Sequence, residues 1–405
     1  MDRKVVKILK IIALFLVVIL VIELGYICYI SFFKGEKQVY FDGINALCYM
    51  DNSYVTVGSN NNNDQFMEKA KFTKYNSKKE KVFEKLYNKG YNGSFFGVTR
   101  DGDDYIAVGS YEATKEEHED GTRSALIVKY DQDGNVLFDK DFQVLGNSKF
   151  TNVWALADGY LVTGQSIYEN MTLGFSNVGG AFLIKYDKEG KELWRKSYGG
   201  SKSAIYNDLI VDDNYIYAVG KDATSVGIIS KYDINGNYIT TTNYKYTDSF
   251  GFTGVVKMGD SLYVSTAKGT TKDNNDVDAM IVKYDLDCNY INEVIYQGKG
   301  RERYNHLIKD DHDNLIAIGT TAVISDKKSN EGIDVFKYDG IIGKYSSSLE
   351  EIDVIIYGDE RDDYFTDIKL VNNNYLVTGY SSYEDGSYLS KFITYSDALK
   401  VLEVE

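Results

Sequence analysis

Asp208 and Asp367 stand twelve residues before a recurring glycine, and His306 stands thirteen before its own copy of that glycine. Asn152 holds the equivalent place in a further copy of the same segment. Two carboxylates and an imidazole brought to one point could ligate Ca2+ or another divalent cation, or hydrogen-bond a polar ligand. The same residues have a structural explanation. An Asp or Asn written into a repeat fixes the local chain by accepting backbone N–H bonds, and the repeat is what sets the position here. The remaining copies carry Ala46, Gly97 and Gly254 at this place, which offer no side-chain chemistry.

A second candidate is the segment QSIYENMTLGFSNVGG, residues 165–180, where Tyr168, Met171 and Phe175 sit among polar residues. Exposed aromatics there would suit a protein or glycan partner, and packing over the neighbouring strands would use them equally well. Glu116, Glu117, His118, Glu119 and Asp120 form the longest acidic loop. A run of adjacent like charges reads as a solvated loop rather than a cation site. The stretches DGDD, DDHDN and DQDGN fall in predicted hairpins, and none continues into an EF-hand loop. There is no G-x-S-x-G, H-E-x-x-H or phosphate-binding loop, and three histidines leave few bases for a catalytic triad. Cys28, Cys48 and Cys288 match neither a disulfide framework nor a zinc spacing. Cys288 replaces a turn glycine, where it is either an exposed, reactive thiol or a tolerated substitution. No cofactor is expected.

These residues are positioned by a repeat. A Lys–aromatic pair recurs at Lys74-Tyr75, Lys129-Tyr130, Lys185-Tyr186, Lys231-Tyr232, Lys283-Tyr284, Lys337-Tyr338 and Lys391-Phe392, at a period of about fifty residues. Before each pair runs an apolar stretch ending at Gly58, Gly109, Gly164, Gly220, Gly319 or Gly379, with Thr266 in the fifth unit. Self-similarity at this period marks a repeat architecture. Each unit reads as four short antiparallel strands separated by turns, as in FTNVWAL, YLVTG, AFLIKY and KELWRKS of the third. Radial closure removes the edge problem of so large an antiparallel protein. The expected fold is therefore all-β, a seven-bladed propeller of four-stranded blades over residues 44–405. LKVLEVE ends the last blade, and KQVYF, within a 34–43 linker, adds a closing strand.

The stretch AFLIKYDKEGKELWRKSYGG with the following YNDLIVDDNYIYAVG resembles the bacterial seven-bladed propeller repeat, the SBBP type of exported proteins and lipoproteins, over roughly residues 40–405. It shares a cadence with PQQ-like repeats but departs from them. A docking tryptophan occurs only as Trp194, with Phe83 or Phe138 elsewhere, and Asp187 to Gly190 is one residue shorter than that pattern prefers. The resemblance implies architecture. In such a fold Asn152, Asp208, His306 and Asp367 would face the mouth of a central channel.

The N-terminus locates the domain. MDRKVVKILK is basic, and residues 11–33 are apolar apart from Glu23, long enough to cross a bilayer as a helix. No small-residue cleavage site follows, and Tyr26 and Ile27 before Cys28 exclude a lipidated cysteine, so the segment reads as an uncleaved signal anchor. Arg3, Lys4, Lys7 and Lys10 place residues 1–10 in the cytoplasm and the propeller outside. Glu23 either marks a partner helix or weakens insertion. Residues 1–36 hold five basic and three acidic side chains of the totals 45 and 60, leaving 40 against 57, a net −17 outside. That charge disfavours nucleic acid and anionic head groups as partners. The expectation is a membrane-tethered extracytoplasmic propeller that binds or scaffolds a cell-envelope protein or glycan. The alternative is a propeller enzyme, a lyase or quinone-dependent oxidoreductase, working through Asp208, His306 and Asp367.

Overall fold

Tyrosine, isoleucine and valine fill the runs between turns, and such side chains favour extended backbone because they pack well on a pleated surface. The computed structural model describes residues 41–61, 68–113, 123–142, 147–167, 180–199, 204–245, 250–269, 277–298, 300–328, 334–383 and 387–405. The chain divides into a segment 1–39 and a unit 40–405, and the described structure belongs to the second. That unit holds seven four-stranded antiparallel sheets, each with its strands in chain order. The sheets, numbered here as blades one to seven, comprise residues 42–86, 91–142, 147–198, 205–243, 254–296, 303–357 and 363–404. First strands of six blades, with Thr253 just before that of blade five, line one narrow channel, and the last strand of each is largely exposed. This is the seven-bladed propeller. The predicted membrane helix falls on residues 11–33, outside the described residues, among which no helix is long and apolar enough to cross a membrane.

The recurring glycine has a steric cause. In six blades the inner strand carries a β-bulge, with register shifts at Ile44/Ala46, Phe95/Gly97, Phe150/Asn152, Tyr206/Asp208, Tyr304/His306 and Phe365/Asp367. The bulge pushes the inner backbone against the second strand. A Cβ on Gly58 would lie 2.0 Å from the Gly43 carbonyl oxygen, and one on Gly319 would lie 1.7 Å from that of Arg303, so no larger residue fits opposite. Blade five carries Thr266 instead, and there the inner strand Gly254–Met258 pairs without a bulge, stopping at Gly254 opposite Ser265.

Strand register corrects two of the seven Lys–aromatic assignments. Tyr75, Tyr130, Tyr186, Tyr232 and Tyr284 pair with the start of their second strands as expected. In blades six and seven the residues at that place are Lys344-Tyr345 and Thr394-Tyr395. Blade six misled because its central hairpin is longer, with strands Leu315–Lys328 and Asp334–Tyr345. Lys337-Tyr338 lies on that extension. Lys391 sits opposite Gly379, three residues before the pair's place.

Consecutive blades are joined by a second device. The outer-strand aromatics Phe83, Phe138 and Trp194 pack over Gly134, Gly190 and Gly236, each in the outer turn of the next blade at positive φ. Later blades put Cys288, Leu349 and Leu399 at that turn position, also at positive φ. Cys288 is fully buried, and burial pushes its thiol up to about 12. It is therefore a packed substitution, and the exposed, reactive thiol is ruled out. Val401–Val404 completes blade seven from its own segment. Of KQVYF only Phe41 lies among the described residues, and it makes an isolated parallel bridge to Tyr388 of blade seven; the rest of the expected closing strand lies outside them.

Candidate functional site

At three β-bulges the extra residue, and in bulge-free blade five the equivalent Thr253, bonds to the next blade and so builds a polar ring. Asn45 donates its amide to the Phe95 carbonyl at 2.7 Å, and Asn207 donates to that of Phe252 at 2.7 Å. The Thr151 and Thr253 hydroxyls reach the carbonyls of Tyr206 and Tyr304 at 2.6 and 2.8 Å. Sequence reading missed this ring. Its signal was present, since Asn or Thr precedes the expected position in every copy except Phe96.

The expected site residues do line the channel, a space of about 160 Å3. They fall into two pairs rather than one cluster. Asp208 accepts hydrogen bonds from Asn152, from Leu209 N–H at 2.8 Å and from Val255 N–H of the next blade at 2.9 Å. Asp367 accepts from Ile368 N–H at 2.7 Å, from Leu47 N–H of blade one at 2.7 Å and from Lys369 at 2.8 Å. His306 Nε2 lies 3.3 Å from Asp367 Oδ1. Burial raises the Asp208 carboxyl against the pull of the His306 charge. Burial also works on Asp367, but Lys369 and His306 outweigh it and hold that carboxyl below the usual range. Both carboxylates thus have backbone partners in two blades, the arrangement that fixes chain rather than leaving oxygens open to a metal.

Tyr168 and Phe175, like the acidic loop of Glu116 to Asp120, lie outside the described residues. Among the described residues, one group of three potential ligands comes within 4.8 Å, and it is Asp310, His312 and Asp397. The Lys344 ammonium already stands 2.5 Å from Asp397 and 3.4 Å from Asp310 there.

An open cavity of about 400 Å3 lies at the end of the channel where the inner strands begin. It lies between blades five, six and seven and shares Asn305 and Thr366 with the channel. Its place coincides with the two breaks in the repeat. Blade five's inner strand stops early, and Phe250 from the loop before it enters the wall. Blade six's long hairpin contributes Tyr338. Tyr338, Tyr364 and Tyr380 form a stack with ring centroids 5.3 and 5.0 Å apart. Arg303 lies over Phe250 at 5.0 Å and Arg301 over Phe336 at 5.5 Å. Burial and the neighbouring Arg301 charge hold Arg303 below its ordinary value.

No protein-family model matches the chain, and no curated protein matches it in sequence. Solved structures match in fold. Sqt1 from Chaetomium thermophilum is 10% identical with a TM-score of 0.47, over 88% of this chain and 98% of its own. The β-propeller domain of the Trilobed protease from Pyrococcus furiosus is 11% identical with a TM-score of 0.42, over 77% and 82%. A puromycin hydrolase mutant complexed with PGG is 8% identical with a TM-score of 0.50, over 89% of this chain and 54% of the hydrolase. At these identities the likeness is one of fold, and propellers share a fold across unrelated functions.

Proposed function

We propose that this protein is a membrane-tethered extracytoplasmic binding module that presents the cavity end of its propeller to a cell-envelope protein or glycan. The observation that carries this reading is a contrast between two sites. The carboxylates of the channel are occupied in holding blades together, whereas the cavity end keeps arginine and tyrosine side chains around open space. Binding pockets combine an aromatic wall with a few well-placed polar groups, and this cavity fits their size range of about 300–1,000 Å3. The hydrophobic segment 11–33 supplies the tether and the basic residues before it supply the orientation. A tethered domain works at raised local concentration, so modest affinity suffices.

The test is capture from detergent-solubilised envelope using the full chain, beside a variant with Tyr338 and Tyr364 changed to Ser. The expected result is a partner or glycan retained by the wild type and lost by the variant, with His306→Ala still retaining it. Retention independent of the tyrosines, or loss with His306→Ala in a folded protein, would move the site to the channel and favour the enzyme reading. Protease protection in intact cells checks the tether, and a propeller cleaved only after lysis would refute an outside location.

A further inference from the structure

We propose that the cavity between blades five, six and seven binds an acidic saccharide, its carboxylate on Arg301 and Arg303 and its sugar ring against the stacked tyrosines. The inference rests on the binding reading above and names the ligand class for that site. Its first support is charge. In a chain of net charge −15, Arg100, Arg195 and Arg361 pair with carboxylates, whereas Arg301 and Arg303 pair with none among the described residues. No ion pair or side-chain hydrogen bond joins either Arg301 or Arg303 to another described residue. Both guanidinium groups lie over aromatic rings. A guanidinium stacked in this way keeps its N–H fork for a planar, bidentate acceptor such as a carboxylate.

The single acid bordering the cavity among the described residues does not neutralise the pair. Glu302 is buried, and its Oε1 takes the Thr321 hydroxyl at 2.9 Å and the Gly300 N–H at 3.0 Å. Burial also pushes its carboxyl up, which weakens it as a counter-ion.

The second support is the set of uncommitted neutral groups. Asn45 and Asn207 donate their amides to the next blade, but Asn305, at the same bulge position in blade six, makes no such bond among the described residues. The Tyr338, Tyr364 and Tyr380 hydroxyls also have no hydrogen-bond partner among the described residues, while their rings form a half-buried stack. A ligand that suits all of these groups carries an anion, a ring and several hydroxyls. Inorganic phosphate lacks the ring, and a neutral sugar lacks the anion.

The experiment measures binding of trigalacturonate, neutral maltotriose and inorganic phosphate to the full chain in detergent. Trigalacturonate should bind at least roughly tenfold more tightly than either control, the scale of one charge-assisted hydrogen bond. Arg301→Gln and Asn305→Ala should each weaken it, and added salt should weaken it in the wild type. Arg303→Gln should weaken it further. Arg301→Gln gives the readout if the Arg303 variant fails to fold. Equal binding of maltotriose, equal binding of phosphate, or an unchanged affinity in a folded Arg301→Gln variant would overturn the proposal. If trigalacturonate fails while an envelope partner is still captured through the tyrosines, the saccharide falls and the binding module stands.

Discussion

Asp367 and His306 touch each other and should nevertheless answer mutation to very different degrees. Asp367→Ala removes the acceptor of the Leu47 and Ile368 N–H groups and leaves Lys369 unpaired. Each buried donor left without a partner costs about 1–3 kcal/mol, so a loss of roughly 3 kcal/mol is expected by urea unfolding. His306 is partly exposed and holds no backbone group, so His306→Ala should cost less than about 1 kcal/mol. Equal losses would mean that the imidazole carries structural weight that its contacts do not show. At this scale the sequence was half legible. Counting back from the glycines put Asp208, His306 and Asp367 on the channel, because their position is local to each repeat. Their partners were not legible, because Val255 N–H and Leu47 N–H belong to other blades and meet the carboxylates only once the ring closes. The arginine pair was invisible for a similar reason, since Arg301 and Arg303 look like ordinary charges until Phe336 and Phe250 arrive from other segments.

Strands and turns carry the acid sensitivity. Asp101 ends the inner strand of blade two and accepts from Lys188 at 2.5 Å and Tyr160 at 2.6 Å, both in blade three, and from Lys129 at 2.9 Å in its own blade. Burial alone would raise this carboxyl, but Lys188, Tyr160 and Lys129 together bring it down to about 2. The unfolded value is near 3.9, so between the two values the unfolded chain holds more protons and stability rises with pH. The contribution, roughly 1 kcal/mol after solvent screening, is complete above about pH 4 and vanishes as pH falls through about 2. The Tm gap between wild type and Asp101→Asn should therefore narrow from pH 5 to pH 2, and a constant gap would show that this network does not titrate. Elements were the most legible level. Four strands per unit, the glycine punctuation and the outer turns were readable because each is a short-range pattern. The error at Lys337-Tyr338 arose where a lengthened hairpin happened to repeat the motif, and that lengthening is what brings Tyr338 to the cavity.

A ring of blades must close, and the weakest interface decides how it opens. Among the described residues, seven apolar clusters correspond to the seven interfaces between blades, and six of them contain ten to fourteen buried residues. The cluster between blades seven and one contains seven, among them Leu47, Tyr75, Val371 and Phe392. Among the described residues blade seven takes all four strands from residues 363–404, and Phe41 adds a single parallel bridge to Tyr388 across this seam. Closure also rests on the Asp367 bond to Leu47, the Ser390 hydroxyl donating to the Asp42 carbonyl at 2.9 Å, the Tyr75–Phe392 ring contact and a Lys79–Glu403 ion pair. That ion pair replaces the aromatic-on-glycine contact of the first interfaces, and Glu403 is half exposed, so salt screens it. With less apolar area buried, this interface should open at the lowest free energy, since hydrophobic burial is the main stabilising term. Native-state hydrogen exchange should then find faster opening for the first strand of blade one and the third strand of blade seven than for the central strands of blades three and four. Added salt should widen the difference modestly, and Asp367→Ala should widen it strongly while leaving blades three and four unchanged. Uniform protection around the ring, or an Asp367→Ala effect spread over all seven blades, would mean that the propeller opens as one cooperative unit and that the seam is no weaker than the rest.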